Sequence, residues 1–339
     1  MKRPTIADIA KAAGVSKGAV SYALNGRPGV SESTKVRVTS IAENMGWFPN
    51  SAARALSDGK TGAIGMVIDR STELLGVESF FMRLLAGIQR ELSVGSGSLL
   101  LQVSTEREAE HDIYRRWHAE HRVDGVLLVD LRNDDPRPDL LTEIGLPTVA
   151  VGGPLGRESV PSAWMDDGSA IDEVLNYLAR IGHRRIIRIA GPAEFIHTRV
   201  RSDAFDAAAA RLNLDEARSV HTDYTDEGGA AAARRVLVSA EPPTALVFDN
   251  DVMAVAALGV AYELGWSVPR DLSLVAWDDS VLCRLVHPAL SAVRRPVVDY
   301  GALAVAMLQR LIAGETVPDA SPEPPLLVTR SSTGPPFER

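Results

Sequence analysis

Three apolar runs in this chain are each followed by a polar side chain that could bind a ligand. Asp69 follows the run at 64–68, Asn250 follows 245–248, and Asp278 follows 274–277. Parallel sheets bind ligands beyond the carboxyl ends of their strands, so these carboxylates and this amide are candidates for holding the hydroxyls of a small molecule. The alternative is that they only cap the helices that follow.

A second set of candidates lies near the amino terminus and could contact DNA. Lys17, Gly18, Ser21 and Tyr22 would point outward from a short helix whose opposite face is apolar. Hydrogen-bonding side chains on one exposed helix face can contact base edges in the major groove.

Local signals define the helices that would position this set. Thr5 and Asp8 have the spacing of a capping box, Gly14 allows a left-handed turn, and Ser16 and Ser31 can cap a second and a third helix. The stripe predicted to be buried on the first helix consists of Ile6, Ile9, Ala10 and Ala13. Two short helices joined by a glycine turn predict a helix-turn-helix, although an ordinary helical hairpin in a small bundle would share the pattern.

The charge distribution supports a nucleic-acid partner for this region alone. The whole chain carries a formal charge of −8, but residues 1–60 hold nine basic and four acidic side chains, a net +5 that leaves −13 elsewhere. A basic module on an acidic body suits phosphate binding at one end of the protein.

The order of these signals resembles the lac repressor (LacI/GalR) family. The resemblance is carried by TIADIAKAAGVSKGAVSYALNG, VSESTKVRV and MGWFPNSAARAL. It implies DNA contacts at Thr5, Ser16, Lys17, Gly18, Ser21, Tyr22, Asn25, Asn50, Arg54 and Leu56. The family usually has Thr-Val-Ser-Arg where this chain reads Ala19-Val20-Ser21-Tyr22, so the operator sequence of better-known relatives cannot be transferred.

The segment 49–61 joins this head to the body. Its alanine-rich sequence favours a helix, but so short a helix is marginal in water by itself. The resemblance implies a hinge helix that pairs with its twin in the minor groove, where Leu56 would wedge a base step open. The alternative is a plain linker with an exposed leucine.

In the body, apolar runs alternate with helical patterns, which predicts parallel sheets covered by helices on both faces. The resemblance continues through Asp166-Asp167-Gly168 and the segments 248–251, 275–279 and 287–290, and implies a core like the periplasmic sugar-binding proteins. The predicted fold is therefore α/β: a three-helix helix-turn-helix head (1–48), a hinge helix and linker (49–61), and a two-lobed core (62–339). Lobe one is predicted at about 62–161 plus 292–323, and lobe two at about 162–291 plus 324–339.

The resemblance adds further residues to the candidate ligand site. Arg201 lies in Arg-Ser-Asp-Ala-Phe, similar to a family motif in which Ala204 is a glycine. Tyr224 and Phe80-Phe81 match family aromatics. The predicted effector-binding residues are Asp69, Phe80, Phe81, Arg201, Tyr224, Asn250 and Asp278.

Other classes of protein find little support in the sequence. Cys283 is the single cysteine, which excludes an internal disulfide, and no apolar stretch is long enough to cross a bilayer. His118 and His121 lie in a charged, solvated helical pattern, so we expect no metal and no cofactor. The absence of a positioned catalytic pair predicts that the chain is not an enzyme and has no catalytic residues.

These observations predict a cytoplasmic homodimer that binds a double-stranded palindromic operator and no membrane. It is expected to repress transcription and to answer to a small sugar. Because no heptad run follows residue 327, no tetramer is expected. A regulator of the same fold controlled by a partner protein and a sugar-active enzyme remain alternatives.

Overall fold

The computed structural model describes residues 4–24, 28–47, 59–70, 76, 78–95, 97–104 and 107–337. The chain divides into two units, Met1–Thr61 and Gly62–Arg339. No helix in these described ranges is long and apolar enough to span a membrane.

The described part of the amino-terminal unit contains three helices, α1 (Ile6–Ala13), α2 (Lys17–Leu24) and α3 (Glu32–Asn44), around one small core. The predicted capping box is present: the Thr5 amide donates to Asp8 Oδ2 at 2.8 Å, and the Asp8 amide donates to Thr5 Oγ1 at 3.4 Å. Gly14 ends α1 with φ at +64°. The core is built from Ile9, Ala10, Ala13, Val20, Ala23, Val38 and Ala42.

The predicted buried stripe needs one correction. Ile6 is 37% exposed, because the first turn of α1 extends beyond the small core. On α2 the deeper inner residues are Val20 and Ala23, with Leu24 only partly buried against them.

The first sheet of the second unit is parallel and has the strand order β2-β1-β3-β4-β5. Its strands are β1 (Ala63–Asp69), β2 (Ser98–Ser104), β3 (Gly125–Leu128), β4 (Thr148–Val151) and β5 (Ser162–Ala163). The helices that flank it are α4 (Ser79–Val94), α5 (Arg107–Ala119), α6 (Arg137–Glu143) and α12 (Val297–Ile312). This sheet and its helices are called the first lobe below.

The second sheet has the order β11-β10-β9-β8-β6-β7, in which only β11 runs antiparallel. Its strands are β6 (Arg185–Ala190), β7 (Glu216–His221), β8 (Ala245–Phe248), β9 (Ser273–Trp277), β10 (Ser291–Arg294) and β11 (Leu326–Val328). Its helices are α7 (Asp167–Arg180), α8 (Ile196–Leu212), α9 (Asp226–Leu237), α10 (Asp251–Glu263) and α11 (Val281–Leu285). Helices α7 and α8 pack on one face, and α9 and α10 pack on the other. This sheet and its helices are called the second lobe.

The predicted fold class is confirmed. At two places where the chain crosses between the lobes, the strand pairing puts the crossing two residues later than predicted. β5 pairs with β4 in the first sheet, so the chain leaves the first lobe after Ala163 rather than at about 161. β10 pairs with β9, so the return comes after Arg294 rather than at about 292. Short strands with polar residues lack the apolar run that would reveal them in the sequence. The predicted boundary between head and hinge falls outside the described residues.

Candidate functional site

The outward face of α2 is the candidate DNA-reading surface. The Ser16 hydroxyl accepts a hydrogen bond from the Ala19 amide at 3.1 Å and so caps the helix. Val20 and Ala23 face the core, which leaves Lys17, Gly18 and Tyr22 exposed and Ser21 half-buried. Thr5 lies on the surface at the start of α1.

Tyr22 is held against the turn before α3 while 45% of it stays exposed. A Cβ at Gly29 would stand only 3.1 Å from Tyr22 Cδ2, and the φ of Gly29 is +122°. The glycine therefore makes room for the tyrosine ring, a pairing that the sequence pattern did not reveal.

Asn25, Asn50, Arg54 and Leu56 lie outside the described residues. Their expected DNA contacts stay predictions.

The candidate effector site is a cavity between the two lobes, at the carboxyl ends of both sheets. Arg70 and Asp130 follow β1 and β3, whereas Asp249, Asp278 and Arg295 follow β8, β9 and β10. Phe80 on α4, Asp167 on α7, and His197 and Arg201 on α8 complete much of the lining, together with Glu78, Tyr224 and Tyr300. This set is called the cleft below.

Ion pairs dominate the cleft. Arg201 donates from Nε to Asp167 Oδ2 at 2.8 Å, and its Nη2 lies 2.6 Å from the same oxygen. Arg295 forms a two-pronged pair with Asp278, with bonds of 2.8 and 2.6 Å. Arg70 donates from Nη2 to Asp130 Oδ1 at 2.9 Å. All three guanidinium groups are buried, where charge-assisted bonds of this kind fix geometry.

Aromatic rings cover the faces of the same arginines. The guanidinium carbon of Arg201 lies 4.6 Å from the Trp277 ring centroid, and that of Arg295 lies 4.9 Å from the Phe80 centroid. Arg70, from the first lobe, lies 4.9 Å from the ring centroid of Phe195 in the second. The cleft thus combines hydrogen-bonding groups with apolar ring faces, as small-molecule sites do.

Asp249 lines the cleft and pairs with Arg188, which lies behind it. Arg188 donates from Nε and Nη2 to the two Asp249 oxygens at 2.8 and 2.6 Å, and both side chains are fully buried. Burial acts to raise the pKa of Asp249, but Arg188 and Arg201 outweigh it and hold the pKa below its usual value. Asp249 is therefore a fixed anion beside Arg201.

Burial also changes the protonation of His197 and Glu78. Burial, with Arg201 and Arg70 nearby, lowers the pKa of His197 well below its usual value, so the ring is neutral near pH 7. Its Nε2 lies 2.8 Å from the Tyr224 hydroxyl. Burial raises the pKa of Glu78 to about 7.

The structure brings together some of the predicted effector residues and not others. Phe80, Arg201, Tyr224 and Asp278 line the cleft, whereas Asp69, Phe81 and Asn250 are absent from its lining.

The three residues outside the lining have structural partners. Asp69 accepts a 2.6 Å bond from Arg132, and Phe81 is buried in the core of the first lobe. Asn250 caps α10, with its Oδ1 accepting from the Met253 amide at 2.8 Å, which is the alternative considered for it.

Several lining residues were not among the predicted set, including Arg70, Asp167, His197 and Arg295. Asp167 stands in a recognised motif, and Arg70 immediately follows a predicted strand, so the sequence could have indicated both as ligand-binding candidates. The sequence did not indicate Arg295, because β10 was not predicted as a strand.

Comparisons with known proteins agree with this architecture. Residues 5–50 match the model of bacterial regulatory proteins of the lacI family, and residues 175–333 match the periplasmic binding protein-like domain. The HTH-type transcriptional regulator CelR of Thermobifida fusca is 34% identical over 320 residues, covering 93% of this chain and 94% of CelR.

Two solved structures extend the comparison. A complex of the transcriptional regulator CelR with cellobiose gives a TM-score of 0.75 at 30% identity, covering 97% of this chain and 100% of that one. The lac repressor dimer bound to operator and the anti-inducer ONPF has the same fold, with a TM-score of 0.84 at 23% identity over 98% of this chain and 100% of that one.

A helix-turn-helix head followed by a two-lobed, cleft-bearing core defines a class of DNA-binding transcriptional regulators. The chain belongs to the lacI family of bacterial regulatory proteins.

Proposed function

We propose that this regulator is a homodimeric repressor that binds a palindromic operator, and that a small carbohydrate held in the cleft controls its operator affinity. The observation that carries the proposal is the convergence of Arg201, Asp278 and Arg295 with Phe80 and Tyr224 on one cavity. Carboxylates and guanidinium groups can bond adjacent hydroxyls, and ring faces can pack against the apolar face of a sugar. The CelR–cellobiose complex of a relative supports the same class of ligand.

Direct contacts between the lobes support a change of lobe arrangement as the switch. The Asn133 amide donates to the Glu194 carbonyl at 2.8 Å, and the Ile196 amide donates to the Leu131 carbonyl at 2.9 Å. On another side, Ser79 Oγ donates to Asp251 Oδ2 at 3.3 Å. These contacts would break or re-form if the lobes moved between an open and a closed arrangement. A ligand between the lobes shifts the balance between the two arrangements only as far as its affinities for them differ. Operator binding must then change sugar affinity by the same factor.

A surface of both lobes is suited to contact a second copy. Met82 on α4 and Val281 and Leu285 on α11 are exposed apolar residues, and Met82 and Val281 border the same depression. Exposed apolar side chains from separate elements on one surface favour protein contact. A twofold dimer matches a palindromic operator, because each head then reads one half-site.

The test begins with the full-length protein and a pool of random duplexes. We expect the selected sequences to be palindromic and their affinity to change when a neutral sugar from a broad panel is added. A gel-shift titration at fixed salt measures that change. Selection of asymmetric sites, or operator affinity indifferent to every sugar, would contradict the proposal.

A further inference from the structure

Three carboxyl groups of the cleft each have an oxygen without a hydrogen-bond partner among the described residues. They are Asp167 Oδ1, Asp130 Oδ2 and Glu78 Oε2. The three residues are between 5% and 8% exposed. Buried polar atoms without partners are costly, so an arrangement of this kind favours a ligand that supplies donors.

Each arginine of the cleft already has a carboxylate partner. Arg201 and Arg295 each have a carboxylate partner, at 2.6 Å from Asp167 and 2.6 Å from Asp278. Arg70 donates both to Asp130 and to the Asp69 carbonyl, each at 2.9 Å. Its Nε has no hydrogen-bond partner among the described residues, and it lies 3.7 Å from Glu78 Oε2, close enough for attraction.

The sum of charges leaves no positive excess for an anion. Three arginines and five carboxyl groups line the cleft, and Arg188 behind Asp249 adds one further cation. His197, which could have supplied another, is kept neutral by burial and by the neighbouring arginines, which lower its pKa. A phosphate or carboxylate entering here would be desolvated beside carboxylates whose arginine partners it would have to displace.

We propose that the cleft selects a ligand rich in hydroxyl donors and without negative charge, and that it rejects phosphorylated and carboxylated sugars. This inference rests on the proposed function and specifies its ligand class. Asp167 is the principal acceptor, because its Oδ1 is free while its Oδ2 holds Arg201. Asp130 supplies a further acceptor on the opposite lobe.

The test compares matched ligands on the full-length protein. Cellobiose, maltose and D-ribose are titrated beside the monophosphate of each, with operator affinity and thermal stability as readouts. We expect the neutral member of a pair to act at a concentration at least about tenfold lower than its phosphate, because the phosphate must break a charge-assisted pair.

Asp167→Asn provides the matched change in the cleft. It keeps the size of the side chain and removes the charge that neutralises Arg201. We expect the affinity for the neutral sugar to fall about ten- to hundredfold. The preference for the neutral sugar over its phosphate should become smaller. Asp203→Asn, an exposed position on the same helix as Arg201, should leave both unchanged. If Asp167→Asn fails to fold, Asp130→Asn is the second variant. It should likewise reduce the preference for the neutral sugar over its phosphate.

The outcomes separate the two proposals. A phosphate that acts as strongly as its neutral counterpart on the parent would overturn the inference and leave the sugar-controlled switch intact. An unchanged preference in the folded cleft variants would overturn it as well. If no sugar of the broad panel, neutral or phosphorylated, altered operator affinity, the proposed function itself would fail.

Discussion

Arg295 illustrates how a residue of the cleft acquires its role from elements distant in the sequence. It follows β10, pairs with Asp278 after β9, and stacks on Phe80 of the first lobe. Its neighbours in the chain give no sign of this, because the arrangement arises only when both lobes form. Asn250 shows the opposite case, since its position after a strand suggested ligand binding but its side chain caps α10.

Tyr22 leads to a prediction about operator sequence. We expect Tyr22→Ala to change base preference, because the ring is exposed on the outward face of α2, which we propose reads the base edges. Selection from random duplexes with parent and variant measures it. Lys17→Ala is the comparison, and a phosphate contact there would weaken all sequences alike. If Tyr22→Ala selected the parent's operator, the proposed reading face would be wrong.

Glu78 leads to a prediction about pH. Burial raises its pKa from 4.5 to about 7 in the folded protein, so folded Glu78 holds its proton to higher pH than the unfolded chain does. Its contribution to the free energy of unfolding is therefore complete below about pH 4.5 and is lost as the pH rises through about 7.

Glu78→Gln cannot titrate and should remove this dependence. The variant should gain stability relative to the parent between pH 5 and 8, by on the order of 3 kcal/mol at most. Urea unfolding of both proteins at the two pH values measures the difference. A parent-minus-variant difference that does not change with pH would show that Glu78 ionises normally.

At the scale of elements, α4 and α12 cross so closely that only glycine fits. A Cβ at Gly87 would stand 1.9 Å from the Val298 carbonyl oxygen, and one at Gly301 would stand 2.4 Å from the Leu84 carbonyl oxygen. This close crossing holds α12, in which the chain has returned from the second lobe, against α4 of the first lobe. Backbone atoms cannot move aside as a flexible side chain can, so the crossing depends on both glycines.

Gly87→Ala should therefore lower the free energy of unfolding by about 3 kcal/mol or more. Gly259 is the matched control, because it lies within α10, is exposed, and has no atom within 4 Å of its missing Cβ. Gly259→Ala should stabilise the protein by about 0.5–1 kcal/mol. Equal effects of the two substitutions in urea unfolding would contradict the close crossing of the helices.

The elements were more predictable than the site they build. Thr5, Asp8, Gly14 and Ser16 defined the first helices, because caps and turns are local and act through the same few residues that encode them. Long apolar strands such as β1 and β8 were equally clear. β10 and β5 were not, because a short strand with polar residues is stabilised by pairing and not by its own sequence pattern.

In the molecule as a whole, a helix-turn-helix head is followed by a core whose lobes meet around a charged cleft. Asp278 lies far along the chain from the reading helix, follows β9 of the second lobe, and pairs with Arg295. A residue of this kind can alter the response to an effector without altering the surface that meets DNA. We propose that the cleft, through a bound sugar, controls operator affinity.

Operator affinity with and without sugar, compared between the parent and Asp278→Asn, tests this control by the cleft. Asparagine keeps the shape of the side chain and removes its charge, so we expect operator affinity without sugar to match the parent. The sugar concentration for half-maximal response should rise about ten- to hundredfold, the worth of one charge-assisted hydrogen bond. Asp203→Asn, exposed on α8, should respond as the parent does. If Asp278→Asn responded at the parent's sugar concentration, the cleft would not be the effector site.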